Sequence, residues 1–520
     1  MIKKCVEKRY ILFPVDIGAQ MTKIRFYKGD GKQKTLVLDL DCKLSRGKND
    51  FVACYDAREF LGKGVYFECE CDADIAQSDD KVLPEQDTLR PFVHFTPRVG
   101  WNNDPNGMIK YDGEYHMFYQ FNPCGRDWGN MHWGHAVSQD MLSWKEKEIA
   151  LFPDENGTMF SGSAIEDERN LSGLKKGDKN PVLLFYTAAG GTSELSEGKP
   201  FSQRLAYSID GGETFIKREG NPIIDFIAEG NRDPKVVWAE EINSYVLALY
   251  LTGSEYALFT SKNLLDWTFL QKIIIDGESE CPDIYSFKKD GKIYRAIIGA
   301  ADRYVIGEFS GGKFRRITDV KQLGYPGRVN GELPRSYAAQ SFSGTGDRTL
   351  RISWHNIGSP RCYGASEMSL PQEITLCGQG KDMYLKILPA VETEKLYESE
   401  IMREDIAPGE KICLALKKSA YRMEIKGDRS GFCLNAFGLK IRSDVENNLI
   451  CVGGTVIPSD GENNDVIAIF DKSSVEVYAD GGRRFTVVPH VCDYDSATLE
   501  FHSEGKTTKL SVTSLKNMFA

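Results

Sequence analysis

The sequence predicts an all-β protein of 520 residues, and three observations carry that reading. Apolar and polar residues alternate with a period of two, as in Thr22-Lys23-Ile24-Arg25-Phe26-Tyr27 and Val65-Tyr66-Phe67-Glu68-Cys69, which sends successive side chains to opposite faces of a strand. A loose internal echo recurs in the middle of the chain. It reads Ser138-Gln139-Asp140-Met141-Leu142-Ser143-Trp144, then the degenerate Ser208-Ile209-Asp210-Gly211-Gly212-Glu213-Thr214-Phe215, then Ser261-Lys262-Asn263-Leu264-Leu265-Asp266-Trp267. The 49 glycines and 11% aromatic content suit many short strands and turns. The length allows about three domains at roughly 100–200 residues each.

Residues 1–88 read as a small antiparallel β domain, with turns such as Gly29-Asp30-Gly31 between its strands. The polar run Gln77-Ser78-Asp79-Asp80-Lys81 reads as a linker. Residues 89–388 hold the echo. Each copy follows a strand-like run, His132 to Val137, Arg204 to Tyr207 and Tyr256 to Thr260. A separation of roughly 50–70 residues suggests propeller blades of four strands. Residues 389–520 form a second all-β stretch. There Val466 to Phe470, a turn, Ser474 to Ala479 and then Asp480-Gly481-Gly482 follow hairpin chemistry.

Composition narrows the function classes. A net charge of −10 argues against a nucleic-acid partner. The apolar run Ile11 to Val15 is broken by Pro14 and is short for a signal-peptide core, and no run approaches a membrane span. The expectation is a protein with no membrane partner, and the lack of an export signal favours short imported substrates over polymers. Thirteen cysteines, an odd number without repeating spacing, fit a reduced, cytoplasmic protein better than a disulfide framework. Cys69 and Cys71, the only close pair, are expected on opposite faces of a strand. No Cys/His cluster has zinc spacing. His132 and His135 read as hydrogen-bonding residues on an edge strand rather than as a metal pair.

With 75 acidic residues, a lone carboxylate proves nothing. Those locked among Pro, Cys, Arg or aromatic neighbours are the informative ones, because poor solvation moves a pKa. Three stretches qualify. In Trp101-Asn102-Asn103-Asp104-Pro105-Asn106-Gly107, Asp104 lies in a strong turn signal that can hold a carboxylate at a strand end. Phe95, Trp101, Tyr119 and Phe121 around it suit an apolar pocket lining. In Gly230-Asn231-Arg232-Asp233-Pro234-Lys235-Val236, Asp233 beside a guanidinium should stay ionised and accept hydrogen bonds. In Ser279-Glu280-Cys281-Pro282-Asp283, Glu280 lies between the run Ile273-Ile274-Ile275 and an aromatic strand. An apolar setting there would raise its pKa, as a general acid requires. Paired carboxyls across a glycosidic bond, about 5–5.5 Å apart for retention and about 6.5–9.5 Å for inversion, cleave it.

The first stretch resembles the nucleophile motif of glycoside hydrolase family 32, the invertases, levanases and inulinases, which usually reads Trp-Met-Asn-Asp-Pro-Asn-Gly. Asn102 stands here where Met is usual. The Arg-Asp-Pro and Glu-Cys-Pro stretches follow in the family's order. The resemblance implies a five-bladed β-propeller catalytic domain over residues 89–388 and a C-terminal β-sandwich over 389–520, in which Ser473-Ser474-Val475-Glu476-Val477 matches a characteristic strand and makes Glu476 structural. It also implies, through Asp56-Ala57-Arg58-Glu59-Phe60-Leu61-Gly62-Lys63, a levanase-type N-terminal β-sandwich over 1–88. Asp104 would then be the nucleophile, Asp233 the transition-state stabiliser and Glu280 the acid and base.

Accessory residues are carried over in the same way. Asn103, Gln120 and Arg232 would contact the sugar. Trp128, Trp133 and Trp354 would form pocket walls. Phe160 and Ser161 open the pocket-edge motif Phe160-Ser161-Gly162-Ser163-Ala164, and Met368-Ser369-Leu370-Pro371-Gln372-Glu373 resembles a late propeller strand. One departure stands out. Arg335-Ser336 replaces the family's usual Asp-Phe pair before Tyr337-Ala338-Ala339-Gln340, which sets the sugar contacts of that loop apart.

The implied activity is that of a retaining, exo-acting β-fructofuranosidase. It would release fructose from sucrose and fructans through a covalent fructosyl-enzyme, with a small sugar as its partner and without metal or cofactor. A fructosyltransferase uses the same chemistry and would make short fructans at high sucrose. A non-catalytic fructan-binding protein is the third reading, and the intact Asp104, Asp233 and Glu280 argue against it.

Overall fold

The computed structural model describes residues 2–29, 33–84, 87, 89–326, 332–358, 363–427, 430–460, 464–494 and 497–519. Asp30 and Gly31 of the expected turn, and Cys362, lie outside the described residues.

Five sheets form the middle of the chain, each built on four antiparallel strands in chain order. Blade 1 holds Gly100–Tyr111, Glu114–Asn122, His132–Ser138 and Lys145–Glu146. Blade 2 holds Thr158–Glu166, Val182–Ala189, Ser202–Ser208 and Ile216–Lys217. Blade 3 holds Arg232–Ala239, Ser244–Thr252, Glu255–Ser261 and Thr268–Ile274. Blade 4 holds Asp283–Lys289, Lys292–Ile298, Arg303–Ser310 and Lys313–Arg316. Blade 5 holds Ser336–Ser341, Thr349–His355, Gln372–Cys377 and Tyr384–Pro389. The first strands of the blades are neighbours around the ring, so they line the propeller axis. The second strand of blade 2 is covered on both faces. Val182-Leu183-Leu184-Phe185-Tyr186-Thr187-Ala188-Ala189 is buried at every position, which is why it reads as a continuous apolar run rather than an alternating one.

The internal echo is a structural repeat. In blades 1, 2 and 3 it forms the loop between the third and fourth strands. An Asx side chain caps that loop in each case. Asp140 Oδ1 accepts the N–H groups of Leu142 and Ser143. Asp210 Oδ1 accepts those of Glu213 and Thr214. Asn263 Oδ1 accepts those of Leu265 and Asp266. The preceding serine, Ser138, Ser208 or Ser261, hydrogen-bonds the same side chain. Local bonds of this kind favour turns over strand continuation.

The ring is closed by non-local pairing. Gly364–Ala365, in the chain of blade 5, pairs in parallel with Gly100 and Trp101 of the first inner strand, and Met368 N–H donates to Phe95 O at 2.8 Å.

Two sandwiches flank the propeller. At the N-terminus a four-stranded sheet (Ile2–Cys5, Val65–Cys69, Thr22–Gly29, Lys34–Cys42) packs on a three-stranded one (Phe51–Asp56, Tyr10–Val15, Ala76–Ser78) around Phe13, Phe26, Tyr55 and Phe67. Cys69 and Cys71 sit two positions apart and share a face, contrary to expectation, with their Sγ atoms 3.2 Å apart. This sandwich is tied to the propeller through Asp39, whose carboxylate accepts the N–H groups of Glu194 and Leu195 at 3.1 and 3.0 Å. Asn130 exchanges bonds of 2.8 and 2.7 Å with the Asp41 backbone.

The C-terminal part is two six-stranded sheets. Its joint with the propeller is a buried chain of alternating carboxylates and imidazoles. His94 spans Asp471 at 2.9 Å and Glu476 at 3.3 Å. His355 spans Glu367 at 3.1 Å and Glu476 at 3.4 Å. Burial works against charge on His94, yet Glu367, Asp471 and Glu476 outweigh it and hold the imidazole well above its usual range. Glu476 is pushed far below the usual carboxylate range, against its burial, by hydrogen bonds from both histidines.

Candidate active site

The inner strands are irregular where the candidate residues lie. Asp104-Pro105-Asn106-Gly107 is not a turn between strands. It sits inside the continuous strand Gly100–Tyr111, and two register shifts, between Asn102 and Pro105 and between Asn106 and Ile109, absorb the proline and glycine. Equivalent shifts fall between Phe160 and Gly162, between Arg232 and Lys235, and between Tyr337 and Gln340. A bulge leaves a residue out of the ladder and re-aims its side chain. Here four blades bulge beside the same axial space. Gly162 is required at its bulge, since a Cβ there would lie 1.9 Å from Phe185 O. Asp233, Glu280 and Cys281 adopt φ of 65°, 61° and 35°, a region costly for non-glycine residues and common at functional sites.

The three carboxylates converge. Asp104 and Asp233 are 8% and 5% exposed, and Cys281 Sγ lies 3.5 Å from Oδ2 of each. Ser161 Oγ donates to Asp104 Oδ2 at 2.6 Å. Gln120 Nε2 donates to Ser161 Oγ at 2.5 Å and to Asp104 Oδ2 at 3.3 Å. Asn103 Nδ2 donates to Asp104 Oδ1 at 3.2 Å. Burial raises the Asp104 carboxyl, the Ser161 bond works against the rise, and the Glu280 charge adds to it. Asp233 accepts the Cys281 N–H at 3.0 Å.

Two electrostatic expectations change. Burial pushes Asp233 up to about 7 although Arg232 and the Cys281 N–H pull it down, so the neighbouring guanidinium does not keep it in the ordinary carboxylate range. Glu280 does not sit in an apolar pocket. Arg232 Nη2 donates to its Oε1 at 2.6 Å, and the Tyr337 hydroxyl donates to its Oε2. Its side chain is 27% exposed, the most open of the three carboxylates.

The remaining residues divide into those at the site and those away from it. Trp101 Nε1 donates to Asn103 Oδ1 at 3.2 Å. The rings of Trp101, Trp354 and Tyr337 form an edge-to-face chain that ends at Glu280. Trp128 is 57% exposed, edge-on to Phe160. Trp133 is a correction. It is fully buried among Ile109, Phe118, Leu151, Met159 and Tyr186, with Nε1 bonded to Phe160 O at 3.0 Å, so it supports the pocket edge from behind and presents no wall. Phe95 and Tyr119 likewise pack in the core with Met108, Met117 and Phe342. His132 and His135 lie on an inner position of blade 1, between two strands, not on an edge. His135 Nε2 is 3.1 Å from His116 Nδ1, and burial keeps His132 and His135 neutral at ordinary pH.

Sequence reading missed Thr187, whose Oγ1 accepts the Asp233 N–H at 2.9 Å, and gave no role to Tyr337 or Cys281. Tyr337 had a signal, the Tyr-Ala-x-Gln stretch itself. Thr187 had none, being one small residue in an apolar run. In the departing pair, Arg335 turns to Asn356 O at 3.2 Å and Ser336 to Ser353 Oγ at 3.0 Å.

Comparison with known proteins then decides the family. The family profile "Glycosyl hydrolases family 32 N-terminal domain" matches residues 94–386. The chain belongs to glycoside hydrolase family 32. Among similar proteins, a levanase of Bacillus subtilis is 31% identical over 506 residues, covering 85% of this chain and 73% of its own. An extracellular exo-inulinase of Aspergillus ficuum is 31% identical over 338 residues, covering 55% of this chain and 62% of its own. The crystal structure of an exo-inulinase from Aspergillus awamori superposes with a TM-score of 0.72 at 24% identity, over 83% of this chain and 99% of that one. The family 32 match runs from His94, one member of the imidazole–carboxylate joint, to Lys386 in the last strand of blade 5.

Proposed function

We propose that this family 32 glycosidase is a retaining, exo-acting β-fructofuranosidase that releases terminal fructose from sucrose and fructans. The observation that carries the reading is the convergence of Asp104, Asp233 and Glu280, from blades 1, 3 and the entry to blade 4, around Cys281. Asp104 attacks the anomeric carbon of the terminal fructosyl unit. Glu280 gives its proton to the leaving oxygen as the glycosidic bond breaks. Water, deprotonated by Glu280, then displaces Asp104 and frees fructose. The division of exposure supports these roles. The attacking carboxylate is buried and fixed by three donors, Asn103, Gln120 and Ser161. The group that must exchange protons with leaving group and water is the open one. Asp233 accepts hydrogen bonds from fructosyl hydroxyls. We also propose a reducing compartment, which the twelve described cysteines, all unpaired, support.

The test is fructose release from sucrose, short inulin-type oligosaccharides and levan, measured side by side with purified protein. Release from the chain end is expected, and Asp104→Asn should lower it by several orders of magnitude, since acid–base terms alone reach about 10²–10⁴-fold. Near-normal activity in Asp104→Asn would sink the assignment.

A further inference from the structure

A second space, a cavity of about 610 Å³, lies between the N-terminal sandwich and the propeller. Met21, Asp41 and Lys43 line it from the sandwich, and Trp101, Asp127 and Trp128 from blade 1. Its volume is mid-range for a small-molecule site, about 300–1,000 Å³. Trp101 belongs to both spaces: it lines the cavity and its indole N–H holds Asn103, which in turn holds Asp104. The cavity therefore shares Trp101 with the aromatic chain that ends at Glu280.

The lining says what it takes. Met21 and Trp128 are 54% and 57% exposed, large apolar faces left open in a recess of mixed polarity. Of two charged pairs at the recess, one crosses the domain junction and one lies within the sandwich. Lys43 Nζ lies 2.8 Å from Asp127 Oδ2, and Asp41 Oδ2 lies 2.9 Å from Lys23. Asp39 and Arg126 also line it, so positive and negative groups nearly balance and the surface has little net field for an anion such as phosphate. It offers carboxylates that accept, an ammonium that donates, and an indole face for C–H groups. A neutral polyhydroxylated ligand uses all three, because each hydroxyl both donates and accepts. The walls are also fixed. Asp39 bonds to Glu194 and Leu195 N–H, the Arg25 guanidinium lies 2.8 Å from Glu194, and Cys42 Sγ lies 3.3 Å from Cys124 O. The sandwich is seated rigidly enough to present a binding surface.

We propose that this interdomain cavity is a leaving-group subsite, in which Met21, Asp41 and Lys43 of the N-terminal sandwich bind the sugar units of a fructan chain that follow the scissile bond. The proposal rests on the fructosidase reading for its ligand. It gives the sandwich a function: it makes the enzyme favour oligosaccharides over sucrose, whose leaving glucose is too short to span the recess.

The test separates subsite from chemistry by measuring both binding and turnover. Calorimetry with Glu280→Gln protein compares a fructan pentasaccharide with sucrose, and kcat/KM for the same two sugars is measured on the active protein. Two opposite changes are made on the exposed sandwich wall. Met21→Trp fills the recess, and the pair Met21→Ser with Lys43→Ala strips it. Both should lower the pentasaccharide-to-sucrose ratio, in affinity and in kcat/KM, by roughly tenfold, the scale of losing one or two good contacts. An unmodified protein with no preference for the longer sugar, or a ratio unmoved by both variants, overturns the subsite while fructose release keeps the fructosidase reading intact. A ratio that falls in calorimetry, with no fructose from any sugar, upholds the subsite and removes the fructosidase reading.

Discussion

Arg232 holds Glu280 more closely than it holds its own neighbour Asp233: Nη2 is 2.6 Å from Glu280 Oε1, whereas Nε stays 3.7 Å from Asp233 Oδ2. One guanidinium thus couples the candidate acid/base to the candidate stabiliser. Asp233, raised by burial to about 7 with Arg232 opposing the rise, titrates within the working range. If it acts ionised, kcat/KM should fall as pH drops through about 7. Removing the opposing cation moves that limb up. Arg232→Gln is expected to shift it by roughly one pH unit or more, read from kcat/KM profiles on sucrose. An unshifted limb would mean that another group sets it.

Ser161→Ala removes the closest donor to Asp104. A hydrogen bond to a charged group is worth about 1.5–3 kcal/mol. The expected loss in kcat/KM is therefore roughly 10- to 100-fold, with the melting temperature little changed. Unaltered kinetics would assign the Ser161 bond to packing alone.

Trp133 and Trp128 should separate stability from binding. Trp133→Ala opens a cavity in the core between blades 1 and 2 and should cost about 3–5 kcal/mol. Trp128→Ala, at an exposed position, should cost less than about 0.5 kcal/mol and raise KM instead. Thermal unfolding and sugar kinetics on the two variants check both halves.

The joint at His94, His355 and Glu476 should be pH-sensitive on both sides. The folded values of both histidines are raised. Their contribution is therefore complete below about 6.5, the ordinary imidazole value, and is lost as pH rises through the folded values. Asp471 and Glu476 are lowered, so theirs is present above about 4, the ordinary carboxylate value, and is lost as pH falls. Glu476→Gln leaves two buried imidazoles facing one carboxylate fewer and should cost about 3–5 kcal/mol. It should also flatten the alkaline fall in melting temperature. A pH-independent melting curve would contradict the charge assignment.

Much of this was legible in the chain, for physical reasons. The Asp140, Asp210 and Asn263 loops announce themselves because each is a local hydrogen-bonded motif written in consecutive residues. The three carboxylates stand out because proline, arginine and cysteine beside them are unusual company. What sequence cannot carry is direction across space. Trp133 and Trp128 look alike in a list of aromatics, but one faces the neighbouring blade and the other faces solvent. Asp104-Pro105-Asn106-Gly107 spells a turn locally, and pairing of Pro105 and Asn106 with Tyr119 and Phe118 of the next strand keeps it extended. The Arg232 contact with Glu280 spans 48 residues, beyond any local rule.

The parallel pairing of Gly364–Ala365 with Gly100 and Trp101 has a consequence for the life of the chain. The strand that carries Asp104 is made early by the ribosome, yet its axial edge at Gly100 and Trp101 stays unpaired until residues more than 250 positions later emerge. Such non-local closure is slow, and an uncovered strand edge invites wrong partners meanwhile. Catalytic competence should therefore appear late and abruptly during synthesis, and a chain stopped after blade 4 would carry all three carboxylates and hydrolyse nothing.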